Sequence, residues 1–116
     1  HAEVRRKLGS ESLRALSAKL ISGQIRAYGQ DVPRPGFDAI LQAEAGFTYL
    51  NGEADGPPTK MPVALIDLLL AHQLKQGLLL ALIKRGQTGK GSLVTASLLD
   101  PGVSSLANKA TNYLVA

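Results

Sequence analysis

Cysteine is missing from the 116 residues, which excludes both a disulfide scaffold and a thiolate metal site. Tryptophan is missing as well, and aromatic residues make up 4% of the chain, so stacking platforms for single-stranded nucleic acid are poorly supplied. Only two histidines occur, His1 and His72, too few for a multi-histidine zinc site, and no metal is expected. No charged stretch leads into an apolar run near the start, so no secretory signal is read there. Internal repeats and low-complexity tracts are also lacking.

What is present is ordinary globular composition, with 45% apolar and 19% charged residues, and a length that allows one small domain at most. Thirteen basic and nine acidic residues leave a net charge of +4. Part of that excess is the cluster Arg5-Arg6-Lys7, which a solvated helix face explains better than a nucleic-acid partner. The chain opens on His and closes on Tyr-Leu-Val-Ala, and it is expected to be a piece of a longer protein.

Residues 2–8 read as the end of a helix stopped by Gly9. Ser10 is a plausible N-cap, with Glu11 well placed against the dipole of a second helix running to about Lys19. Residues 20–28 read as a buried strand, weakened by Gly23. Pro33 and Pro35 make 29–36 a loop, and 37–45 fit a short amphipathic helix ending at Gly46. Residues 51–58 form an irregular loop. A long apolar segment runs from Pro62 to about Arg85, where Gly86, Gly89 and Gly91 should break it. Its length in helical form is roughly 35 Å. Residues 92–98 alternate as a strand, and Asp100-Pro101 marks the start of a final helix running to the end. Two strands separated by helices imply a parallel pair with a right-handed crossover. Two strands do not make a stable sheet alone, which again points to missing parts.

Asp67 is the unusual residue. On a helical wheel, Val63, Ala64, Leu70, Ala71, Leu74, Leu78, Ala81 and Leu82 fall within about 60° of it, and no other charge shares that face before Arg85. A buried, unpartnered carboxylate is costly, so something must compensate. Asp67 either faces a pocket at a helix N-terminus or merely caps the first helical turn with its head in water.

Other signals fail. Residues 84–92 suggest a phosphate-binding loop, but Gly91 stands where Ser or Thr should bind magnesium, and the order is helix–loop–strand. Residues 61–83 are long enough for a bilayer but carry Asp67, His72 and Lys75, so a buried core helix is expected and no membrane partner. His72 sits beside Gln73 and Gln76 on the polar side and reads as a surface or interface residue. No Ser/His/Asp arrangement is present.

The run from Arg34 to Asp100 resembles the CaiB/BaiF family, the family III CoA-transferases. The linked motifs are Arg34-Pro35-Gly36-Phe37-Asp38, Gly56-Pro57-Pro58, Asp67 at the head of an apolar helix, Gly77–Leu82, Arg85–Gly91 and Val94–Asp100. The resemblance implies an α/β fold, here a helix-rich part of a Rossmann-like large domain with few parallel strands. The whole of residues 1–116 would be a single piece from the later part of that domain's first half. Upstream CoA-binding segments and a downstream glycine-rich loop would lie outside it. The full-length chain would form an interlocked homodimer in the cytoplasm. It would hold no permanent cofactor and would use a coenzyme A thioester and a carboxylic acid as substrates. The family's nucleophile falls on Asp67, which would form an aspartyl-acyl anhydride. Arg34, Pro35, Gly36, Phe37 and Asp38 match the segment lining the CoA site. Arg34 would face phosphate or pantetheine, Gly36 would allow close approach, and Asp38 would bond a polar CoA or substrate group or simply serve a helix N-terminus.

The family's racemases carry His where this chain has Phe37, which cannot transfer a proton, so acyl transfer is favoured over α-proton abstraction. A non-catalytic helical interaction module is the reading from another class. Milder departures are Leu68–Leu70 in place of small residues, Ser92 in place of Gln, and Thr95 in place of Asp. They leave the acyl group open.

Overall fold

The computed structural model describes residues 10–115. The helix expected over residues 2–8, its stop at Gly9, and the side chains of Ser10 and Glu11 lie outside the described part. The element order is α1 (Ser10–Leu16), β1 (Ser22–Arg26), α2 (Asp38–Ala45), α3 (Phe47–Leu50), α4 (Leu65–Thr88), β2 (Leu93–Ser97), α5 (Leu99–Ser105) and α6 (Ala107–Val115). The two strands are neighbours in a two-stranded sheet. Pairing numbers rise together along both strands, from Ser22 N–H to Ser92 O at one end to Leu98 N–H to Arg26 O at the other, so the pair is parallel. This is the helix-rich α/β arrangement that the sequence implied.

The chain divides into two compact units. The first joins the residues up to Gln24 with Leu74–Thr95. Here α1 ends at Leu16, short of the expected Lys19. The Ser17 side chain accepts the Lys19 N–H at 3.3 Å and the Ser17 carbonyl accepts the Leu20 N–H at 3.1 Å, a local turn that competes with the helix. The C-terminal part of α4 packs on the strand: a Cβ at Gly77 would lie 2.6 Å from Val94 Cγ1, so only glycine lets the two come this close. The Arg85 guanidinium donates to the Lys19 carbonyl at 3.3 Å.

The second unit comprises Ile25–Gln73 and Ala96–Ala116. Its core is Tyr28, Leu41, Ile66, Leu70 and Leu98, with Ala27, Phe47, Ala96 and Leu99 packed against it. Helix α2 packs on α3 and α5. It ends as expected at Gly46, whose φ of 99° is a left-handed geometry that glycine adopts without penalty.

Several boundaries differ from expectation. β1 is shorter than 20–28, and it alternates half-buried and exposed residues rather than lying buried, with Ile25 facing outward. α4 starts at Leu65 and runs through Gly86 to Thr88, because nothing crowds Gly86 and the chain turns only at Gly89, with φ 69°. α5 starts at Leu99, and its cap is not Asp100. Ser97 Oγ accepts the Asp100 N–H at 3.3 Å instead, so the start signal was the spacing Ser97-x-x-Asp100. The final helix also breaks at Leu106. Ser104 and Ser105 hydroxyls donate back to the carbonyls of Pro101 and Gly102, and the Leu106 N–H closes on Val103. The short α3 carried no sequence signal.

Helix α4 is long and apolar enough to cross a membrane by length and composition alone. The expectation of a buried core helix is corrected: only a stripe through Ile66, Leu70 and Ala81 is buried, while Leu68, Leu79, Leu80, Leu82 and Ile83 are exposed. Apolar residues recur on every side of the helix, interrupted by His72, Gln73, Lys75 and Gln76, and the described residues cover one side of it.

Candidate active site

Every residue of the candidate site lies in the second unit. Asp67 is the third residue of α4 and is exposed. The buried stripe is rotated by about 50° from it, so Asp67 flanks that stripe rather than standing at its centre. Its neighbour Ile66, fully buried, points into the core and carries no desolvation cost there.

The start of α4 explains the rest. Residue 64, at the N-cap, is Ala, whose side chain offers no oxygen to the free amides of the first turn. The cap comes from elsewhere. Asp38, the first residue of α2, places Oδ1 where it accepts the Ile66 N–H at 2.8 Å and the Asp67 N–H at 3.3 Å. Its other oxygen, Oδ2, accepts from Gln42 Nε2 at 2.6 Å. Thus Asp38 does serve a helix N-terminus, but that of α4, 29 residues away in sequence. Both its oxygens are engaged within the protein.

Gln42 lies one turn along α2 and is completely buried. Its Nε2 also donates to the Val63 carbonyl at 3.0 Å, and its Oε1 accepts the Met61 N–H at 2.8 Å. Sequence reasoning missed Gln42. The available signal was a polar residue four positions after Asp38 on the face that also carries Leu41 and Ala45.

Among the described residues no hydrogen bond reaches the Asp67 carboxylate. The capping role that would have consumed it belongs to Asp38. A carboxylate at this place is left presented at the positive end of a helix, on the border of an apolar surface.

The segment before Asp38 is organised by a second cluster. Arg34 pairs with Glu44 Oε1, and its guanidinium lies 4.8 Å from the centre of the Tyr28 ring. The Tyr28 hydroxyl donates to Glu44 Oε2 at 2.7 Å. That bond holds the Glu44 carboxyl below its ordinary range, with Arg34 adding to the effect. Burial pushes the Tyr28 hydroxyl up, helped by the bond to Glu44. Gly36 has a packing reason of its own: a Cβ there would lie 2.6 Å from Leu41 Cδ2 and 2.9 Å from Ala27 Cβ. Pro35 is exposed, and Phe37 is 73% exposed, an unusual position for a large apolar ring. Phe37 has extended backbone angles and its carbonyl accepts the Ile40 and Leu41 amides, so it enters α2 with its ring outside. His72 is also exposed. Among the described residues, no group of three or more His, Asp or Glu is placed to hold a metal ion.

The structure therefore ties Asp38 directly to the amide of residue 67, and Arg34 to the face of α2 through Glu44.

The sequence matches the profile of CoA-transferase family III over residues 2–116, and the chain belongs to that family. It is 38% identical over 111 residues to the succinate–glutarate CoA-transferase of Agrobacterium fabrum, covering 93% of this chain and 28% of that protein. The succinyl-CoA:glutarate CoA-transferase of Mus musculus is 34% identical over 111 residues, covering 93% of this chain and 26% of that one. Among solved structures, a CaiB/BaiF family protein from Brucella suis superposes with a TM-score of 0.90 at 35% identity, over 99% of this chain and 31% of that chain. The chain thus spans about a quarter to a third of the length of the proteins it matches.

Proposed function

We propose that the full-length protein carrying this chain moves CoA between an acyl-CoA and a carboxylic acid, with Asp67 as the nucleophile. The observation that carries this reading is the exposed Asp67 carboxylate in the first turn of α4, relieved of capping by Asp38.

An Asp67 oxygen attacks the thioester carbonyl. The tetrahedral centre collapses, the C–S bond breaks, and CoA leaves as the thiolate, giving a mixed aspartyl-acyl anhydride. The thiolate then attacks the aspartyl carbonyl, releasing the first carboxylate and leaving an aspartyl-CoA thioester. The acceptor carboxylate attacks that thioester, and a second anhydride passes its acyl group to CoA, restoring Asp67. A carboxylate suits this exchange because an anhydride is about as activated as a thioester, whereas an ester would trap the acyl group. Arg34, Pro35, Gly36 and Phe37 line the CoA side in this reading. Asp38 instead holds position, because its oxygens accept protein donors. The apolar border around Asp67 favours exclusion of water. The homodimeric, cytoplasmic form of the full-length protein belongs to the same proposal and rests on the family resemblance.

The test is to incubate the full-length protein with a panel of acyl-CoAs, add hydroxylamine, and map the modified peptide by mass spectrometry. Succinyl-CoA heads the panel, with glutarate as the first acceptor, because relatives carry those substrates in their names. A hydroxamate on Asp67 is expected. Absence of any adduct, with α-hydrogen exchange into the acyl-CoA in deuterated water, would replace this reading by racemisation.

A further inference from the structure

One buried polar side chain takes no part in the proposed chemistry. Gln42 is fully buried, and its amide makes three hydrogen bonds: to Asp38 Oδ2 at 2.6 Å, to the Val63 carbonyl at 3.0 Å and from the Met61 N–H at 2.8 Å. This uses both amide hydrogens and the oxygen, so the orientation of the amide is determined by its partners. Two of the partners belong to the approach to α4. The third is the carboxylate that caps α4. Gln42 therefore fixes the same helix start twice, once through the entering chain and once through Asp38.

We propose that Gln42, acting through Asp38, is a positioning residue for the attacking carboxylate of residue 67; the inference rests on Asp67 being the nucleophile. The physical case has three parts. Ala64 leaves the first turn of α4 without a cap of its own, so its amides depend on Asp38 Oδ1. Asp38 can turn about its own side-chain bonds unless Oδ2 is held, and Gln42 holds it. Helix ends without capping fray, and Asp67 stands in that first turn. Fraying would displace the nucleophile while leaving intact the groups that grip CoA. Loss of such positioning lowers turnover more than substrate affinity.

The experiment uses the full-length protein and measures kcat and KM for the acyl-CoA in the variants Gln42→Leu, Asp38→Asn and Asp67→Asn. Gln42→Leu keeps the volume and removes every hydrogen bond. It is expected to lower kcat by about 10- to 100-fold with KM within about threefold of wild type. Asp38→Asn keeps an oxygen toward Ile66 and Asp67 but turns an amide toward Gln42 Nε2, and should fall between wild type and Gln42→Leu. Hydrogen exchange supplies a second readout. The Met61 amide, which loses its acceptor, should exchange faster in Gln42→Leu, and the Ile66 and Asp67 amides should exchange faster in Asp38→Asn, whose oxygen is no longer steadied by Gln42, while the amides of α4 beyond Leu70 keep their wild-type protection.

If Asp67→Asn retains turnover, the nucleophile reading falls and this inference with it. If Asp67→Asn is inactive but folded Gln42→Leu keeps wild-type kcat, or changes KM alone, the positioning role is overturned while the nucleophile stands. Should Gln42→Leu fail to fold, Asp38→Asn decides: unchanged kcat or unchanged exchange overturns the role, and lowered kcat with fast first-turn exchange supports it.

Discussion

A carboxylate in the first turn of a helix can bond the free amides or act on a ligand, and one side chain does not serve both well. Here the two tasks fall to different residues: Asp38 takes the amides and Asp67 is left exposed. The spacing of apolar residues in the sequence singled out Asp67 but could not separate these uses, since the capping partner comes from 29 residues away. Gly36 illustrates the same limit. Its motif suggested room for a ligand, and the structure adds a packing reason that the sequence did not show: Leu41 and Ala27 occupy the space a side chain would take. Gly36→Ala should destabilise the full-length protein by about 1–3 kcal/mol, through the overpacking that its new methyl creates, read as a lowered Tm. The Tyr28–Glu44 bond sets a pH window. Glu44 is held below its ordinary 4.5, so its stabilisation is complete above that value and is lost as pH falls through the lower folded-state value. Tyr28 is raised above its ordinary 10.0, so its stabilisation is complete below that value and is lost as pH rises through the folded-state value. Denaturant melts of Tyr28→Phe across pH should therefore show a flatter profile than wild type at both ends.

Elements were legible where a local signal decided them. The stop of α2 at Gly46, the two strands, and the existence of α4 follow from glycine geometry and hydrophobic periodicity. Boundaries failed where a side-chain hydroxyl competed with the backbone, as at Ser17, Ser97, Ser104 and Ser105. Asp100-Pro101 looked like a helix start by residue type, yet the chain is already helical from Leu99 with Leu98 at the N-cap, and the Asp100 amide is taken by Ser97, which is 4% exposed. Replacing Ser97 by Ala should cost about 0.5–2 kcal/mol, because it removes the acceptor of the Asp100 amide, and a Tm measurement reads the loss. The same substitution at Ser104 should cost less, since its hydroxyl donates to a carbonyl at 3.4 Å and caps nothing.

For the whole molecule, the telling quantity is uncovered apolar surface. Leu68, Leu79, Leu80, Leu82 and Ile83 on α4, with Tyr113, Leu114 and Val115 at the end of α6, are all about half exposed or more. Large apolar side chains left exposed on both units mark surfaces that other protein covers, and this chain spans 28% of the Agrobacterium relative. The two-stranded sheet is short of what independent stability requires. The 116-residue chain on its own should therefore associate, read by light scattering after size exclusion, and should show no CoA transfer with any donor in the panel. A monodisperse monomer that turns over would overturn both expectations. The sequence made this incompleteness readable through its strand count. It did not reveal which side of α4 stays open, because large apolar residues recur among the polar ones on every side and blunt the periodicity.

Asp38 directly follows Phe37 in the chain and shares one oxygen with the amides of residues 66 and 67. The residue that carries the exposed ring and the helical turn that carries Asp67 are thereby joined through Asp38. In the proposed reading, a ligand seated on that ring would reach the amide of residue 67 through the Asp38 backbone, its side chain and one hydrogen bond. In the proposed reaction, ligand seating and nucleophile aim would then share a single tolerance, and an error in one would be inherited by the other.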